Sequence, residues 1–124
     1  MLGTDVKIGG ALGKLGDTVV LPLSQQGQTD HQVVAFQISG TWSGTVTFEC
    51  SLDTVTPTNW TALNVNHVGN TGLVSTATAN GLWRAGVGGL AQIRLRMSSY
   101  SSGTANVVLT TADGTQVRVM LILQ

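Results

Sequence analysis

The sequence predicts an all-β fold: a two-sheet antiparallel sandwich, jelly-roll-like, with an extended N-terminal arm. The first observation is an alternation over residues 45–52, where Val46, Phe48, Cys50 and Leu52 share one side and polar residues share the other. This period of two is typical of a half-buried strand. The second is that turn-forming residues recur at short, regular intervals, as they do in sandwiches and jelly rolls. The third is that the strands so delimited leave no room for a helix.

The elements follow from these signals in order along the chain. Residues 1–17 contain five glycines with isolated apolar residues between them, and we interpret this segment as a flexible arm, because glycine loses much conformational entropy when it is ordered. Residues 18–124 are predicted to form the sandwich domain. Its strands are expected near residues 18–23, 32–38, 44–52, 60–66, 72–79, 82–87, 91–98, 104–111 and 116–123. Its turns are expected at Gln26-Gly27, Ser39-Gly40, Ser43-Gly44, Asn70-Thr71-Gly72, Asn80-Gly81, Gly88-Gly89, Ser102-Gly103 and Asp113-Gly114.

Composition restricts the function classes. The 124 residues suffice for one domain with one core. Only 10% of them are charged, and six Lys and Arg balance six Asp and Glu. Without a basic run there is little counterion release to drive nucleic-acid binding. No apolar run approaches the roughly 20 residues that span a bilayer, and no secretory signal is evident. We therefore expect neither a nucleic-acid nor a membrane partner, and synthesis in a cytoplasm.

Side chains that could support catalysis or bind a metal are few. His31 and His67 lie in polar, turn-like stretches, and Cys50 is predicted to point inward as a small apolar side chain. Zinc needs three or four convergent ligands, and calcium needs several loop oxygens. We expect no catalytic residue, no metal, no cofactor and no enzymatic activity.

One ion pair is predicted from strand alternation. Arg94 and Arg96 alternate with apolar residues and should leave the same face of one strand, while Glu49 occupies the polar face of another. A cross-strand pair of Glu49 with Arg94 or Arg96 is therefore expected, and its role would be structural.

Three tryptophans raise the possibility of a ligand that stacks on an aromatic ring. Trp60 and Trp83 begin predicted strands and are expected at the edge of the core, where the indole N–H bonds outward. Trp42 lies in a predicted Gly-Thr-Trp-Ser-Gly hairpin and is the best candidate for an exposed ring. For all three, packing in the core or at its edge is favoured over ligand stacking.

Apolar side chains near the two ends of the chain are candidates for contacts with other subunits. The arm carries isolated apolar residues, and the last predicted strand is apolar on both faces, which a half-solvated strand does not need. A partner subunit would cover these groups; alternatively, the arm of the same chain folds back over the last strand. The candidate contact residues are Val6, Ile8, Leu12, Leu15, Met120 and Ile122.

Several short motifs, taken in order, resemble one group of proteins. They are the stretch over residues 40–53, Asn59-Trp60, Gly81-Leu82-Trp83, Ile93-Arg94-Leu95-Arg96 and the Ser-Gly-Thr-Ala turn at residues 102–105. Over residues 30–112 the chain resembles small β-sandwich virion proteins of tailed bacteriophages. The resemblance implies a particle protein used as capsid decoration or as a tail or fibre module. The chain departs from the group's pattern at Cys50, where a small residue is common, and in a longer loop between Asp53 and Asn59.

The leading hypothesis is a capsid cement or decoration protein of a phage virion. It would form a homotrimer on the head, bridge neighbouring major capsid subunits and act mechanically, with symmetry multiplying modest contacts. The alternative is a receptor- or glycan-binding module of a tail tip or fibre, which predicts an exposed aromatic cluster that includes Trp42.

Overall fold

The computed structural model describes residues 7–23, 31–53, 59–70 and 72–113, and every regular element in them is a β-strand. These residues form no helix, and hence none that could cross a membrane. The strands of the described part are β1 (Lys7–Leu12), β2 (Thr18–Pro22), β3 (His31–Ser51), β4 (Thr61–Ala62), β5 (Val65–His67), β6 (Leu73–Val74), β7 (Thr76–Ala77), β8 (Gly81–Gly86) and β9 (Gln92–Asp113). The all-β prediction is confirmed.

Hydrogen bonds join these strands into one continuous antiparallel sheet, whereas the sequence predicts two sheets. The order along its main path is β1-β9-β3-β8-β5-β6, with β2 paired to β9 and with β4 and β7 paired to β3. The long strands β3 and β9 pair with each other from His31 and Asp113 to Ser51 and Gln92. They form the central ribbon on which the other strands assemble.

The central ribbon folds back on itself. Phe36 and Phe48 both belong to β3, and twelve residues of straight strand would separate them by about 40 Å. Their ring centroids are only 5.1 Å apart. The ribbon therefore bends between them, so that a first half of the sheet (β1, β5, β6, β8 and the adjoining ends of β3 and β9) faces a second half (β2, β4, β7 and the other ends).

Glycines and register shifts produce the bend. Gly40 has φ 101° and Gly103 has φ 81°, a left-handed region that favours glycine. Register shifts, the sign of β-bulges, occur between Ser43 and Gly44 and again between Thr45 and Val46. The turns predicted at Ser39-Gly40, Ser43-Gly44 and Ser102-Gly103 are therefore wrong, because both strands bend together and keep their ladder. The turn predicted at Gly88-Gly89 is present between β8 and β9.

The core lies between the two halves of the sheet. Alternate residues of β3 and β9 point inward on either side of the bend, so each strand contributes to the core from both halves. The largest fully buried side chains of these two strands each stabilise the fold by roughly 1.5–3 kcal/mol relative to exposure. They are Val34, Phe36, Ile38, Val46, Phe48, Ile93, Leu95, Met97 and Leu109.

The predicted face of residues 45–52 is only partly correct. Val46 and Phe48 are fully buried, whereas Cys50 is half-buried and Leu52 is 71% exposed. The reason is that β3 ends at Ser51, so Leu52 has left the ladder before it could face the core.

Part of the predicted N-terminal arm belongs to the sheet. Residues 7–12 form β1, which pairs with β9 through the register Leu12↔Ala105. Leu12 is fully buried, and Ile8 is partly buried against the core. The edge of β9 supplies ladder partners that offset the entropy lost by ordering glycines. Leu15 is 65% exposed in the turn to β2.

Some predictions fall on residues outside the described part. Val6 precedes it, and the predicted last strand with Met120 and Ile122 follows it. The predicted strands at residues 60–66 and 72–79 are present only as pairs and triplets of residues, β4 to β7.

Candidate functional site

The densest polar cluster lies on the outer surface of the second half of the sheet. Glu49 on β3 stands directly opposite Arg94 on β9. Arg94 Nε donates to Glu49 Oε1 at 2.7 Å, while Arg96 donates from Nε to Oε1 at 3.1 Å and from Nη2 to Oε2 at 3.0 Å. Glu49 therefore contacts both arginines, as strand alternation predicts.

Trp60 covers one side of this cluster. The Arg94 guanidinium carbon lies 4.1 Å from the centroid of the Trp60 ring, a cation–π geometry. The side chain of Glu49 is only 10% exposed, although it lies on an outer face of the sheet. Sequence reasoning missed this contact, because Trp60 follows a loop and no strand register fixes its position.

The electrostatics of the cluster favour an ionised carboxylate. Burial of Glu49 raises the pKa of its carboxyl, but hydrogen bonds from Arg96 and Arg94, together with their charges, outweigh burial and hold the pKa below its ordinary value of 4.5. The hydrogen bond to Glu49 raises the pKa of Arg96 further. Both carboxylate oxygens are engaged, so Glu49 is poorly placed to accept a proton from a substrate, and the cluster is a structural clamp between β3 and β9.

Hydroxyl and thiol groups lie beside the cluster. The Thr47 and Ser98 hydroxyls hydrogen-bond to each other at 2.6 Å, and Thr47 stands opposite Arg96 in the sheet. Burial, followed by the charge of Glu49, raises the pKa of the Cys50 thiol, which keeps it protonated at neutral pH.

The structure places Trp42 in a different environment from the predicted one. It lies within β3, half-buried against the core, and not at the tip of a hairpin. Its indole Nε1 donates to Asn80 Oδ1 at 2.7 Å, and Asn80 Nδ2 donates to the Gly40 carbonyl at 2.9 Å. The side chain that was the best candidate for an exposed ring therefore connects the bend of β3 to the turn before β8 through Asn80.

Of the two histidines, the structure describes the side chain of His67. Its ring packs against Trp83 in a tilted arrangement with the centroids 5.1 Å apart, and Trp83 is buried in the core. The side chain of His31 lies outside the described part. Among the described residues, no group of three or more His, Cys, Asp or Glu side chains could hold a metal ion.

The outer edge of β1 has backbone groups that no described strand engages. In the described part of the molecule β1 pairs with β9 alone, which leaves its second edge without a strand. Natural edge strands are commonly protected by charges, prolines or bulges. In β1 the only charged residue is Lys7, the first of the strand, and Gly9 and Gly10 occupy its middle.

Comparison with known proteins shows the fold. No protein-family model matches the chain, and no curated protein matches its sequence. The SPBc2 prophage-derived protein YomS has a TM-score of 0.66 at 14% identity, over 90% of this chain and 98% of YomS. The PBSX exported protein XepA has the same TM-score and identity over 90% of this chain, but this chain covers 39% of XepA. The chain shares its fold with both, and one of them is prophage-derived.

Proposed function

We propose that this protein is a structural component of a bacteriophage virion, most specifically a capsid cement or decoration protein. It would stabilise the head by bridging neighbouring major capsid subunits, and it would assemble in the host cytoplasm as a homotrimer. A sandwich built from the two facing halves of the sheet would be its rigid body. No catalysis, cofactor, nucleic acid or membrane enters this role.

The observation that carries the proposal is the outer edge of β1, which has no strand partner among the described residues. Alternate residues of this six-residue strand direct their backbone N–H and C=O groups away from β9, and these groups can hydrogen-bond to a strand of a neighbouring chain, which gives affinity without specialised side chains. A surface with few charges offers little repulsion between copies. Repetition over a symmetric lattice turns such modest contacts into large total stability.

Two further findings support this role. The motifs over residues 30–112 resemble virion proteins of tailed phages, and YomS, with the same fold, is prophage-derived. The alternative, a glycan-binding tail module, loses the aromatic platform that first suggested it, because the Trp42 ring is half-buried and bonded through its nitrogen to Asn80.

The experiment is to locate the protein on intact particles. Phage particles from a host that carries this gene are purified and imaged by electron microscopy, with a particle lacking the protein as control. We expect extra density on the head surface at each copy of a repeated lattice position, and heads that rupture at lower temperature when the protein is absent. Absence of the protein from purified particles, or its presence only at the tail tip, would refute the cement role.

A further inference from the structure

A groove of about 360 Å³ opens on the first half of the sheet, between β8, the beginning of β3 and the turn after β5. Its volume lies in the range of small-molecule sites, roughly 300–1,000 Å³. Gly86 lines the groove, and the space beside it is open, because a Cβ added there would meet no atom within 4 Å. Val33 and Val68, both partly exposed, line it as well.

Arg84 gives the groove a positive charge. Its side chain is exposed on β8, and its guanidinium forms no hydrogen bond or ion pair with another described residue. Arg94 and Arg96, in contrast, share Glu49. An arginine in a concave site that has no counter-charge among the described residues is suited to a carboxylate, which it can bind through two parallel hydrogen bonds.

Two asparagines supply the remaining polar groups. Asn66 stands opposite Arg84 in the sheet, and its Nδ2 donates to the Gly72 carbonyl at 3.2 Å. Asn70 Nδ2 lies 2.9 Å from His67 Nδ1, and His67 is itself held against Trp83. These bonds orient both amides and engage only their nitrogens, so each amide oxygen remains able to accept a hydrogen bond. Amides that offer both donors and acceptors match ligand hydroxyls, which act in both ways.

We propose that this groove binds an acidic saccharide, a hydroxylated ring that carries one carboxylate, of which a uronic acid is the simplest example. The carboxylate pairs with Arg84, the hydroxyls bond to Asn66 and Asn70, and a C–H face of the ring lies against Val33 and Val68. The proposal is independent of the virion role.

The test is a titration of the isotope-labelled full chain followed by nuclear magnetic resonance, with D-glucuronate, D-glucose and inorganic phosphate as separate probes. Glucuronate should shift the amide signals of residues 66–70 and 84–86 in a saturable way. Glucose, which lacks the carboxylate, and phosphate, which lacks the ring, should each bind at least about tenfold more weakly.

Matched variants identify the groups responsible. Arg84→Gln should weaken glucuronate binding at least about tenfold, whereas Lys14→Gln, which removes an exposed charge from the turn after β1, should leave it unchanged. Asn70→Ala, with Arg84 intact, should weaken it several-fold. Any of three results overturns the proposal: no saturable shift with glucuronate, phosphate binding as tight as glucuronate binding, or an Arg84→Gln variant that binds as well as Lys14→Gln.

Discussion

Glu49 holds two arginines on a face where its own carboxylate is nearly buried. Glu49→Gln removes the negative charge and leaves Arg94 and Arg96 side by side without a counter-charge. Loss of one partner from such a partly buried pair should lower the free energy of unfolding by about 1–3 kcal/mol. Urea denaturation of the variant and of the natural protein measures the difference.

Lys14→Gln is the control, since it removes one exposed charge from the turn after β1. Its unfolding free energy should change by less than about 0.5 kcal/mol. Equal effects of the two substitutions would mean that the three-residue cluster contributes nothing beyond ordinary surface charge.

The Glu49 carboxylate makes the free energy of unfolding depend on pH, and its lowered pKa sets the direction of that dependence. The native pKa of Glu49 lies below its ordinary value of 4.5, so around pH 4 the unfolded chain binds more protons than the native one. The stabilisation by Glu49 is complete above pH 4.5 and disappears as the pH falls through the lower native pKa. The difference in unfolding free energy between the natural protein and Glu49→Gln should therefore shrink between pH 7 and pH 3. A difference that grows toward low pH would contradict this account.

At the scale of residues, sequence reasoning located the ion pair but not its surroundings. Alternation fixes the side of a strand on which Glu49, Arg94 and Arg96 lie, and strand pairing then brings them together. The stacking of Trp60 depends on where a loop returns, which no local pattern encodes. The groove that contains Arg84 was missed for a related reason. Its lining comes from β8, the beginning of β3 and the turn after β5, which are separate segments of the sequence.

Among the elements, alanine substitutions at two leucines of the predicted arm test whether β1 is part of the folded domain. Leu12 is fully buried and Leu15 is mostly exposed. Leu12→Ala should lower the free energy of unfolding by about 2–5 kcal/mol, because it leaves a cavity in the core. Leu15→Ala should change it by less than about 0.5 kcal/mol. Thermal or urea unfolding distinguishes this from a flexible arm, for which both substitutions would be neutral.

Alanine substitutions at two glycines test whether the bend of the central ribbon requires glycine. At Gly103 a Cβ would collide with the Thr41 carbonyl oxygen and the Trp42 Cα, and φ is positive. At Gly88 nothing lies within 4 Å and no positive φ occurs. Gly103→Ala should cost at least about 1–3 kcal/mol of unfolding free energy, and Gly88→Ala should cost little. Comparable denaturation midpoints for the two variants would argue against a bend that requires glycine.

Glycine explains which elements can be predicted from the sequence and which cannot. Alternation correctly indicates the two ends of β3 and of β9, because it reports which residues face the core. A glycine next to a serine is compatible with a chain reversal and also with a bulged strand. The pattern around Gly40 and Gly103 therefore predicts turns, whereas the ribbon bends there without reversing. The glycines of β1 suggest a flexible segment when only the local sequence is considered. The edge of β9 that orders them lies about a hundred residues further along the chain.

For the whole molecule, self-association is expected through β1. Ala11→Lys places a charge on an exposed position of that strand, a substitution that natural edges use to prevent pairing. The natural protein at micromolar concentration should sediment as an oligomer and the variant should shift toward the monomer. Ala79→Lys makes the same exchange at an exposed position between β7 and β8 and should leave the oligomer intact.

A monomeric natural protein would remove the basis for edge pairing. If Ala11→Lys assembles as well as Ala79→Lys, the contact between copies lies on a surface other than the β1 edge. The two results separate the existence of an oligomer from the strand that forms it.

The two long strands continue from one half of the sheet into the other. Loss of the ladder in one half would therefore disturb the same two strands in the other half. We expect the domain to unfold in a single cooperative transition, as small single domains usually do.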